Sequence, residues 1–275
     1  MPSSPPMNHH PPPRQRRSNG AWRRAPDSGR RGPVTLPTLA DHVALVTGAG
    51  RGIGRAIALR LARDGCRVAA LARTEAELEE TASAAETASG SIVAVPADVT
   101  CDSDLETAVR SIIERLGRIT ILVNNAGFAP TRSPVLKTSL ADWDRTLATC
   151  LRGPMVLTRL VLPDMLAHGS GAIVNIASIA GKKGRGGEAA YAAAKFGLLG
   201  FTQSLFEEVR EHGVKVIAIC PGFVDTDLIP ANKRVDRGKF LQPSDIADAV
   251  HDVLTTPLRA CPTELILEPQ YDPEA

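Results

Sequence analysis

The chain has 275 residues, of which 32 are basic and 30 acidic, and a net charge of +2. That length is enough for one large domain with a substantial hydrophobic core. Residues 1–33 contain seven arginines and one acidic residue, which leaves the rest of the chain at −4. Because residues 34–275 carry this net negative charge, they give no support for binding to nucleic acid or to an anionic membrane, and we expect neither partner.

The first 38 residues are rich in proline and arginine and almost lack periodic apolar residues. Proline removes backbone donors and blocks helices, so this composition predicts a disordered tail ahead of one folded domain over 39–275. Paired arginines in the tail could belong to a signal or transit peptide, but no continuous apolar stretch follows any pair. We interpret the tail as a non-functional extension.

The cysteines and histidines indicate whether the protein could bind a metal and in which cellular compartment it is found. Five cysteines are widely spaced, odd in number and without a Cys-x-x-Cys motif: Cys66, Cys101, Cys150, Cys220 and Cys261. This pattern is typical of reduced thiols in the cytoplasm. The six histidines show no metal-ligand spacing, and no stretch approaches the ~18 apolar residues of a membrane span. We therefore expect a cytoplasmic protein with no metal site.

From Asp41 onward, short apolar runs alternate with helical periodicity. The predicted strands are His42–Thr47, Arg67–Ala72, Ile92–Val95, Ile119–Val123, Ala172–Ile176, Val214–Ile219 and Glu264–Leu267. The predicted helices are Gly52–Asp64, Thr74–Ala88, Ser103–Leu116, Leu140–His168, Glu188–His212 and Pro243–Leu254. Alternation of this kind predicts an α/β fold, a single doubly wound Rossmann-type parallel sheet with helices on both faces. Ligands of such sheets bind beyond the carboxyl ends of the strands.

The first predicted strand runs into a glycine-rich turn, Thr47-Gly48-Ala-Gly50-Arg51-Gly52-Ile53-Gly54, and then into a helix. Glycines let the backbone turn tightly and approach a pyrophosphate, whose charge is met by the helix N-terminus. Taken alone, the motif could also be a strand-to-helix turn without a ligand.

A second motif lies in the predicted helix over Glu188–His212. Tyr191 and Lys195 are four residues apart and share one helix face, and Ser178 lies thirteen residues before Tyr191 at the end of an apolar strand. A free tyrosine has a pKa of about 10, and an adjacent cation lowers that pKa. The pair therefore predicts a tyrosine that exchanges protons with a substrate hydroxyl or carbonyl group.

The T-G-x-x-x-G-x-G turn and the Tyr-x-x-x-Lys pair together resemble the short-chain dehydrogenase/reductase family, over roughly Leu39–Gln270. The resemblance implies that Ser178 hydrogen-bonds the substrate oxygen, that Tyr191 is the acid/base, and that Lys195 lowers the tyrosine pKa and binds the nicotinamide ribose. It assigns to the cofactor Gly48, Gly50, Arg51, Gly52, Ile53, Gly54, Arg73, Asp98, Val99, Asn125, Ala126, Gly127, Tyr191, Lys195, Pro221, Gly222, Val224 and Thr226. Asn124 is expected to steady the sheet.

The expected cofactor is NADP. The second predicted strand ends at Ala72, where an NAD-preferring protein would usually place an acid for the ribose 2′-hydroxyl, and Arg73 follows. In the resembling family, basic residues at the places of Arg51 and Arg73 mark NADP preference. A guanidinium can bind a phosphate with two parallel hydrogen bonds. Asp98 and Val99 match the adenine-contacting pair, although that segment also suits helix capping.

One position departs from the family pattern. Cys150 stands where the family has an asparagine that takes part in a proton relay, and this puts part of the relay in doubt. Pro154 has no N–H and lies four residues later, so the carbonyl of Cys150 should lack its helical partner and remain free for water. We expect slower but retained catalysis. A small buried thiol, rather than a reactive one, is the expected state of Cys150.

The sequence therefore predicts an NADP-dependent oxidoreductase that transfers hydride between nicotinamide and a carbonyl compound or secondary alcohol. One alternative is a catalytically weak or non-catalytic NADP-binding protein, because of Cys150. Another is an epimerase or dehydratase on the same fold, although such relatives usually carry a larger C-terminal substrate domain. An oligomer of identical chains is expected.

The predicted substrate wall comprises Phe128, Gly181, Phe223 and the loop Asp225–Leu241. That loop carries four basic residues, Lys233, Arg234, Arg237 and Lys239. The loop is interpreted as a solvated lid, with attraction of an anionic substrate or an acyl carrier as the alternative.

Overall fold

The computed structural model describes residues 38–229, 235–257 and 259–273. All of the predicted tail except residue 38 lies outside these ranges. The strands are β1 (Val43–Thr47), β2 (Arg67–Ala72), β3 (Ser91–Pro96), β4 (Ile121–Asn124), β5 (Gly171–Ile176), β6 (Val214–Pro221) and β7 (Glu264–Leu267). The α-helices are α1 (Gly52–Arg63), α2 (Glu75–Ser83), α3 (Asp102–Leu116), α4 (Leu140–Leu147), α5 (Gly153–His168), α6 (Ala189–Val209) and α7 (Pro243–Thr255).

The strands form one parallel sheet in the order β3-β2-β1-β4-β5-β6-β7. Every residue of β1, β5 and β6 is buried, as expected for strands covered on both faces. Apolar residues of α1, α2 and α7 cover one face, and those of α3, α5 and α6 cover the other. The predicted α/β doubly wound fold is confirmed.

The strand order fixes the place of the site. From β1 the chain builds outward to β2 and β3, then returns to add β4 on the other side of β1. The loops after β1 and β4 therefore diverge at the carboxyl end of the sheet and leave a crevice between them. Such a switch point is where open α/β sheets bind their ligands.

The main departure from the predicted elements lies in the long helix expected over Leu140–His168. The structure divides it into α4, a π-helical turn over Ala148–Arg152, and α5. The N–H of Gly153 bonds to the carbonyl of Ala148, five residues back. Pro154 offers no N–H to the preceding turn, which accounts for the interruption at this point.

None of the helices in the described part of the chain combines the length and the apolar stretch that a membrane crossing needs.

Candidate functional site

A cleft of about 1090 Å³ runs across the carboxyl ends of the central strands. Its walls come from the loops that follow β1 to β6. All the catalytic and cofactor-binding residues predicted from the sequence line this cleft except Gly54. The two motifs, far apart in the chain, therefore open into one cavity.

The glycine turn between β1 and α1 forms one end of the cleft. Gly48 and Gly52 have φ values of +65° and +54°, which side-chain-bearing residues rarely adopt. A Cβ on Gly54 would lie 2.1 Å from the carbonyl oxygen of Gly48, so Gly54 supports the turn from beneath. Helix α1 begins at Gly52 with no side-chain cap from Arg51, which leaves its first N–H groups facing the cleft. This cradle fits a pyrophosphate.

Hydrogen bonds tie the glycine turn to the loop after β4. The Thr47 hydroxyl accepts from the N–H groups of Asn125 and Ala126, both at 2.9 Å. In return, the Asn125 side-chain amide donates to the Thr47 carbonyl at 2.9 Å. The two walls of the crevice are thereby held at a fixed separation, and Thr47 is an anchor that the sequence analysis missed.

Asn124 steadies the interior of the sheet. Its amide donates to Asn175 Oδ1 at 2.8 Å, and Asn175 donates to the hydroxyl of Thr202 on α6, also at 2.8 Å. Thr202 completes the chain by donating to the carbonyl of Leu198 at 2.7 Å. This buried network joins β4, β5 and the helix that carries Tyr191 and Lys195, so it fixes that helix against the sheet.

Arg51 and Arg73 lie at the same end of the cleft. Arg51 Nη1 is 3.8 Å from Glu77 Oε1 and 3.9 Å from Asp227 Oδ2, and its side chain is 68% exposed. Both carboxylates were missed by the sequence analysis, because they come from α2 and from the loop after β6. They hold the Arg51 guanidinium over the glycine turn, and an incoming phosphate must compete with them.

Asp98 and Val99 line the cleft beyond β3. The Asp98 carboxylate accepts from the backbone N–H of Thr100 at 2.9 Å and from its hydroxyl at 2.8 Å. Asp98 therefore organises a turn, in line with the capping alternative, and also faces the cavity.

Ser178, Tyr191 and Lys195 meet on the floor of the cleft. The Ser178 oxygen accepts from the N–H of Ala180 at 3.1 Å, and Ser178 lies beside Tyr191, where its hydroxyl favours the phenolate. The Lys195 ammonium lies 5.6 Å from the centre of the Tyr191 ring and donates to the Ile176 carbonyl at 2.8 Å. The three side chains form one polar cluster in apolar surroundings.

The expected lowering of the Tyr191 pKa is wrong for this arrangement. Burial raises the pKa of the phenol, and the neighbouring Cys150 and Glu188 act in the same direction, while the hydrogen bond with Ser178 opposes them. Burial also lowers the pKa of Lys195. The expectation from the sequence rested on the nearby cation alone, whereas desolvation has the larger effect on the Tyr191 pKa. Tyr191 is accordingly kept as a neutral phenol, which can donate a proton.

Cys150 lies fully buried in the π-helical turn. Its sulfur accepts from the N–H of Phe128 at 3.3 Å and donates to the carbonyl of Phe128 at 3.3 Å. The thiol thus connects the turn to the loop after β4, which is a structural role that the sequence analysis did not anticipate. The prediction that Cys150 is a buried thiol is confirmed.

The other end of the cleft is lined by aromatic, apolar and charged residues. Phe128 and Phe223 line it as predicted. Gly181 does not, and that expectation is wrong: a Cβ there would lie 2.9 Å from the carbonyl of Lys195, because Gly181 is packed behind the floor. Side chains missed by the sequence analysis also line this end: Arg132, Thr138, Arg145, Thr149, Arg185 and Glu188.

The basic loop over Asp225–Leu241 is only partly described. Arg237 donates to Asp225 at 2.8 Å and to the Ile229 carbonyl at 3.0 Å, and Lys239 donates to the Asp272 carbonyl at 3.0 Å. These two cations stabilise the loop itself. Lys233 and Arg234 lie outside the described residues.

The arrangement has no metal-binding candidate within the described ranges, where no group of three or more histidine, cysteine, aspartate or glutamate side chains could hold an ion. The site can donate a proton from the buried Tyr191 phenol to a ligand oxygen that also accepts a hydrogen bond from the Ser178 hydroxyl. The cradle opposite can hold a dinucleotide.

Comparisons with known proteins agree with this geometry. The sequence profile described as short chain dehydrogenase matches residues 42–236. The chain is 37% identical over 218 residues to a protein of Nostoc sp. named ketoacyl reductase HetN, covering 78% of this chain and 76% of the relative. It is 35% identical over 233 residues to a 3-oxoacyl-[acyl-carrier-protein] reductase of Synechocystis sp., covering 82% of this chain and 94% of the relative.

A solved structure gives the same assignment. The crystal structure of a metagenomic short-chain oxidoreductase in complex with NADP matches with a TM-score of 0.75 and 33% sequence identity, covering 85% of this chain and 99% of that one. Fold, motifs and relatives converge, and the chain therefore belongs to the short-chain dehydrogenase/reductase family and is an oxidoreductase of that family.

Proposed function

We propose that the protein is an NADPH-dependent reductase of carbonyl compounds, which runs in reverse as an alcohol dehydrogenase. The observation that carries the proposal is the polar cluster on the cleft floor, where the buried Tyr191 phenol lies beside Ser178 and above the Lys195 ammonium. These groups lie in the same cavity as the phosphate cradle. A reactant carbonyl and a dinucleotide can therefore meet there.

The residues present fit a nicotinamide dinucleotide. The glycine turn and the uncapped start of α1 would hold the pyrophosphate, and Asp98 and Val99 would hold the adenine. Arg51 and Arg73 would bind the 2′-phosphate, which favours NADP over NAD. At the far end Asn125, Pro221, Gly222 and Thr226 would border the nicotinamide; they line the same cavity. The NADP complex of the structural relative supports this choice.

The cofactor supplies the hydride that reduces the carbonyl carbon. On this chain, the Ser178 hydroxyl donates a hydrogen bond to the carbonyl oxygen and stabilises the negative charge that grows there. The Tyr191 phenol then transfers its proton to that oxygen, giving the alcohol. The resulting phenolate lies beside the Lys195 ammonium, whose charge stabilises it until it is reprotonated.

Cys150 favours a second candidate, a cofactor-binding protein with weak or no turnover. The thiol occupies the place of the family asparagine and is committed to the backbone of Phe128. Retained catalysis is supported by Pro154, which supplies no N–H to the Cys150 carbonyl and leaves that oxygen without its α-helical donor.

We further propose a cytoplasmic oligomer of identical chains, in which the first 38 residues form a separate tail.

An absorbance assay of NADPH and NADH oxidation over aldehydes, ketones and 3-oxoacyl thioesters tests the proposal. The thioesters are included because the two cyanobacterial relatives are named for ketoacyl or 3-oxoacyl reduction. We expect turnover of at least one carbonyl class with NADPH. Binding of NADPH without turnover of any class, reversed only by Cys150→Asn, would instead establish the cofactor-binding candidate.

A further inference from the structure

Helix α2 packs directly against the glycine turn that forms the phosphate cradle. The buried residues of α2 are Leu78 and Thr81, and the Thr81 side chain is fully enclosed. Glu77 lies one turn before Thr81 on the same helix face. A Cβ placed on Gly50 would lie 2.8 Å from the Glu77 Cβ, so no side chain fits between the turn and the helix. The face of α2 that carries Glu77 and Thr81 therefore meets the glycine turn.

Three carbonyl oxygens surround the Thr81 hydroxyl. Those of Ala49 and Gly50, in the glycine turn, lie 3.1 and 3.3 Å from Thr81 Oγ1, and that of Glu77 lies 2.9 Å away. A hydroxyl has only one proton to donate. The Glu77 carbonyl belongs to α2, where it also accepts from the N–H four residues later. The two turn carbonyls lie outside any helix and therefore depend more strongly on the Thr81 hydroxyl.

The orientation of these two carbonyl groups sets that of the neighbouring N–H groups. Ala49 is fully enclosed and Gly50 is also buried, so a carbonyl there that lost its donor would cost free energy. In a planar trans peptide the N–H points opposite to the carbonyl. With the Ala49 and Gly50 carbonyls directed at Thr81, the N–H groups of Gly50 and Arg51 point away from α2. Both residues line the cleft.

The composition of the turn makes such an external restraint useful. Gly48, Gly50 and Gly52 alternate with other residues, and glycine gives the backbone access to many conformations. A turn that is already ordered before its ligand arrives binds that ligand more tightly, because binding then includes no cost of ordering. The contact with α2 supplies order of this kind from outside the cleft.

We infer that Thr81 is a positioning residue for the cofactor: its hydroxyl holds the Ala49 and Gly50 carbonyls against α2 and thereby preorganises the cradle for the pyrophosphate. The inference rests on the proposed use of a nicotinamide dinucleotide and adds to it a residue outside the cleft lining. The pyrophosphate is common to NADPH and NADH. Thr81 therefore acts on the affinity for both and leaves the choice between them to Arg51 and Arg73.

Thr81→Val tests the inference, because valine has nearly the shape of threonine but no hydroxyl. The dissociation constants of NADPH and NADH are measured by fluorescence titration of the full chain, well below its thermal midpoint. We expect both to rise about tenfold, the scale of one buried hydrogen bond, with their ratio unchanged. The kcat at saturating NADPH should be unchanged, since the polar cluster is not touched. Thr81→Ser keeps the hydroxyl and should retain the affinity of the unmodified protein.

A second buried threonine provides the matched control. Thr158 lies on α5, is 2% exposed, and its hydroxyl has no hydrogen-bond partner among the described residues. Thr158→Val therefore removes no hydrogen bond and should leave both dissociation constants unchanged. Thr81→Ala removes the same hydroxyl as Thr81→Val with a residue of higher helix propensity. It should weaken binding of both cofactors as well, so the test does not depend on the folding of one variant.

Three results would overturn the inference. Unchanged affinity in Thr81→Val, with only a lower thermal midpoint, would leave Thr81 a role in the fold alone. A loss confined to NADPH would place the effect at the 2′-phosphate, and an equal loss in Thr81→Ser would assign it to packing and not to the hydroxyl. An unmodified protein that binds neither NADPH nor NADH would instead refute the proposed cofactor, and the role of Thr81 with it.

Discussion

The double change Arg51→Ala with Arg73→Asp tests the proposed cofactor preference. Both arginines line the end of the cleft that would receive the adenosine 2′-phosphate. The change removes two cations and places a carboxylate beside the former phosphate position, where it would repel NADP and could accept from a ribose 2′-hydroxyl. We expect the preference for NADPH to disappear or reverse.

The magnitude follows from the exposure of the arginines. A hydrogen bond to a charged group contributes about 1.5–3 kcal/mol when well shielded, whereas exposed ion pairs contribute at most about 1 kcal/mol. Arg51 is 68% exposed and must leave Glu77 and Asp227 for the phosphate, so the lower figure applies. Two arginines then give about 2 kcal/mol, roughly thirtyfold in kcat/KM, with about tenfold as the minimum.

The assay compares kcat/KM for NADPH and NADH with one saturating carbonyl substrate. Arg55→Ala is the matched control, because Arg55 lies one turn further along α1 and is paired with Glu80 at 3.1 Å outside the cleft lining. The control should keep the preference of the unmodified protein. Equal use of the two cofactors by the unmodified protein would refute the reasoning, and so would a preference that survives the double change.

The remaining predictions concern the thiols and the pH profile. Cys150→Ala should lower the thermal midpoint by several degrees, because it removes two hydrogen bonds to Phe128, and it should remain active. Cys150→Asn should raise kcat several-fold. An inactive Cys150→Ala variant would show that the thiol takes part in the chemistry. In the folded protein a thiolate-specific reagent should label Cys101 first. Cys101 is partly exposed, whereas burial raises the pKa of Cys66 to about 12, that of Cys220 to about 11, and also that of the partly exposed Cys261. Faster labelling of Cys66, Cys220 or Cys261 would contradict this order. Because burial raises the pKa of Tyr191, its protonated, proton-donating form persists from pH 6 to 9. The rate of carbonyl reduction should therefore not fall with pH over this range, whereas the rate of alcohol oxidation should rise. A loss of reductase activity centred near pH 7 would contradict the raised pKa.

The sheet, the glycine turn and the members of the polar cluster could be predicted because their signals are local. Alternating apolar runs specify buried strands, and the spacing of Tyr191 and Lys195 is set by one helix. The carboxyl ends of parallel strands meet at one edge, so the motifs after β1, β4 and β5 had to converge. The interruption of the helix expected over Leu140–His168 was not predicted, although Pro154 is its physical reason.

What the sequence did not reveal depends on contacts between distant segments. Glu77 reaches Arg51 from another helix, and Cys150 bonds to Phe128 at a separation of 22 residues. The wrong direction for the Tyr191 pKa has the same origin, since the burial of a phenol is decided by packing that no local pattern encodes. Gly181 was misplaced because its neighbours, not its position after a strand, determine which way it faces.

The most direct test of the proposed mechanism is the NADPH turnover of Tyr191→Phe, with Tyr271→Phe as its control. The chain contains two tyrosines, and Tyr271 is 70% exposed and outside the cleft lining. We predict that Tyr191→Phe lowers kcat by about 10² or more, the scale of general acid catalysis, while NADPH affinity stays unchanged and Tyr271→Phe keeps full activity. Retention of activity by Tyr191→Phe would contradict the assignment of Tyr191 as the proton donor.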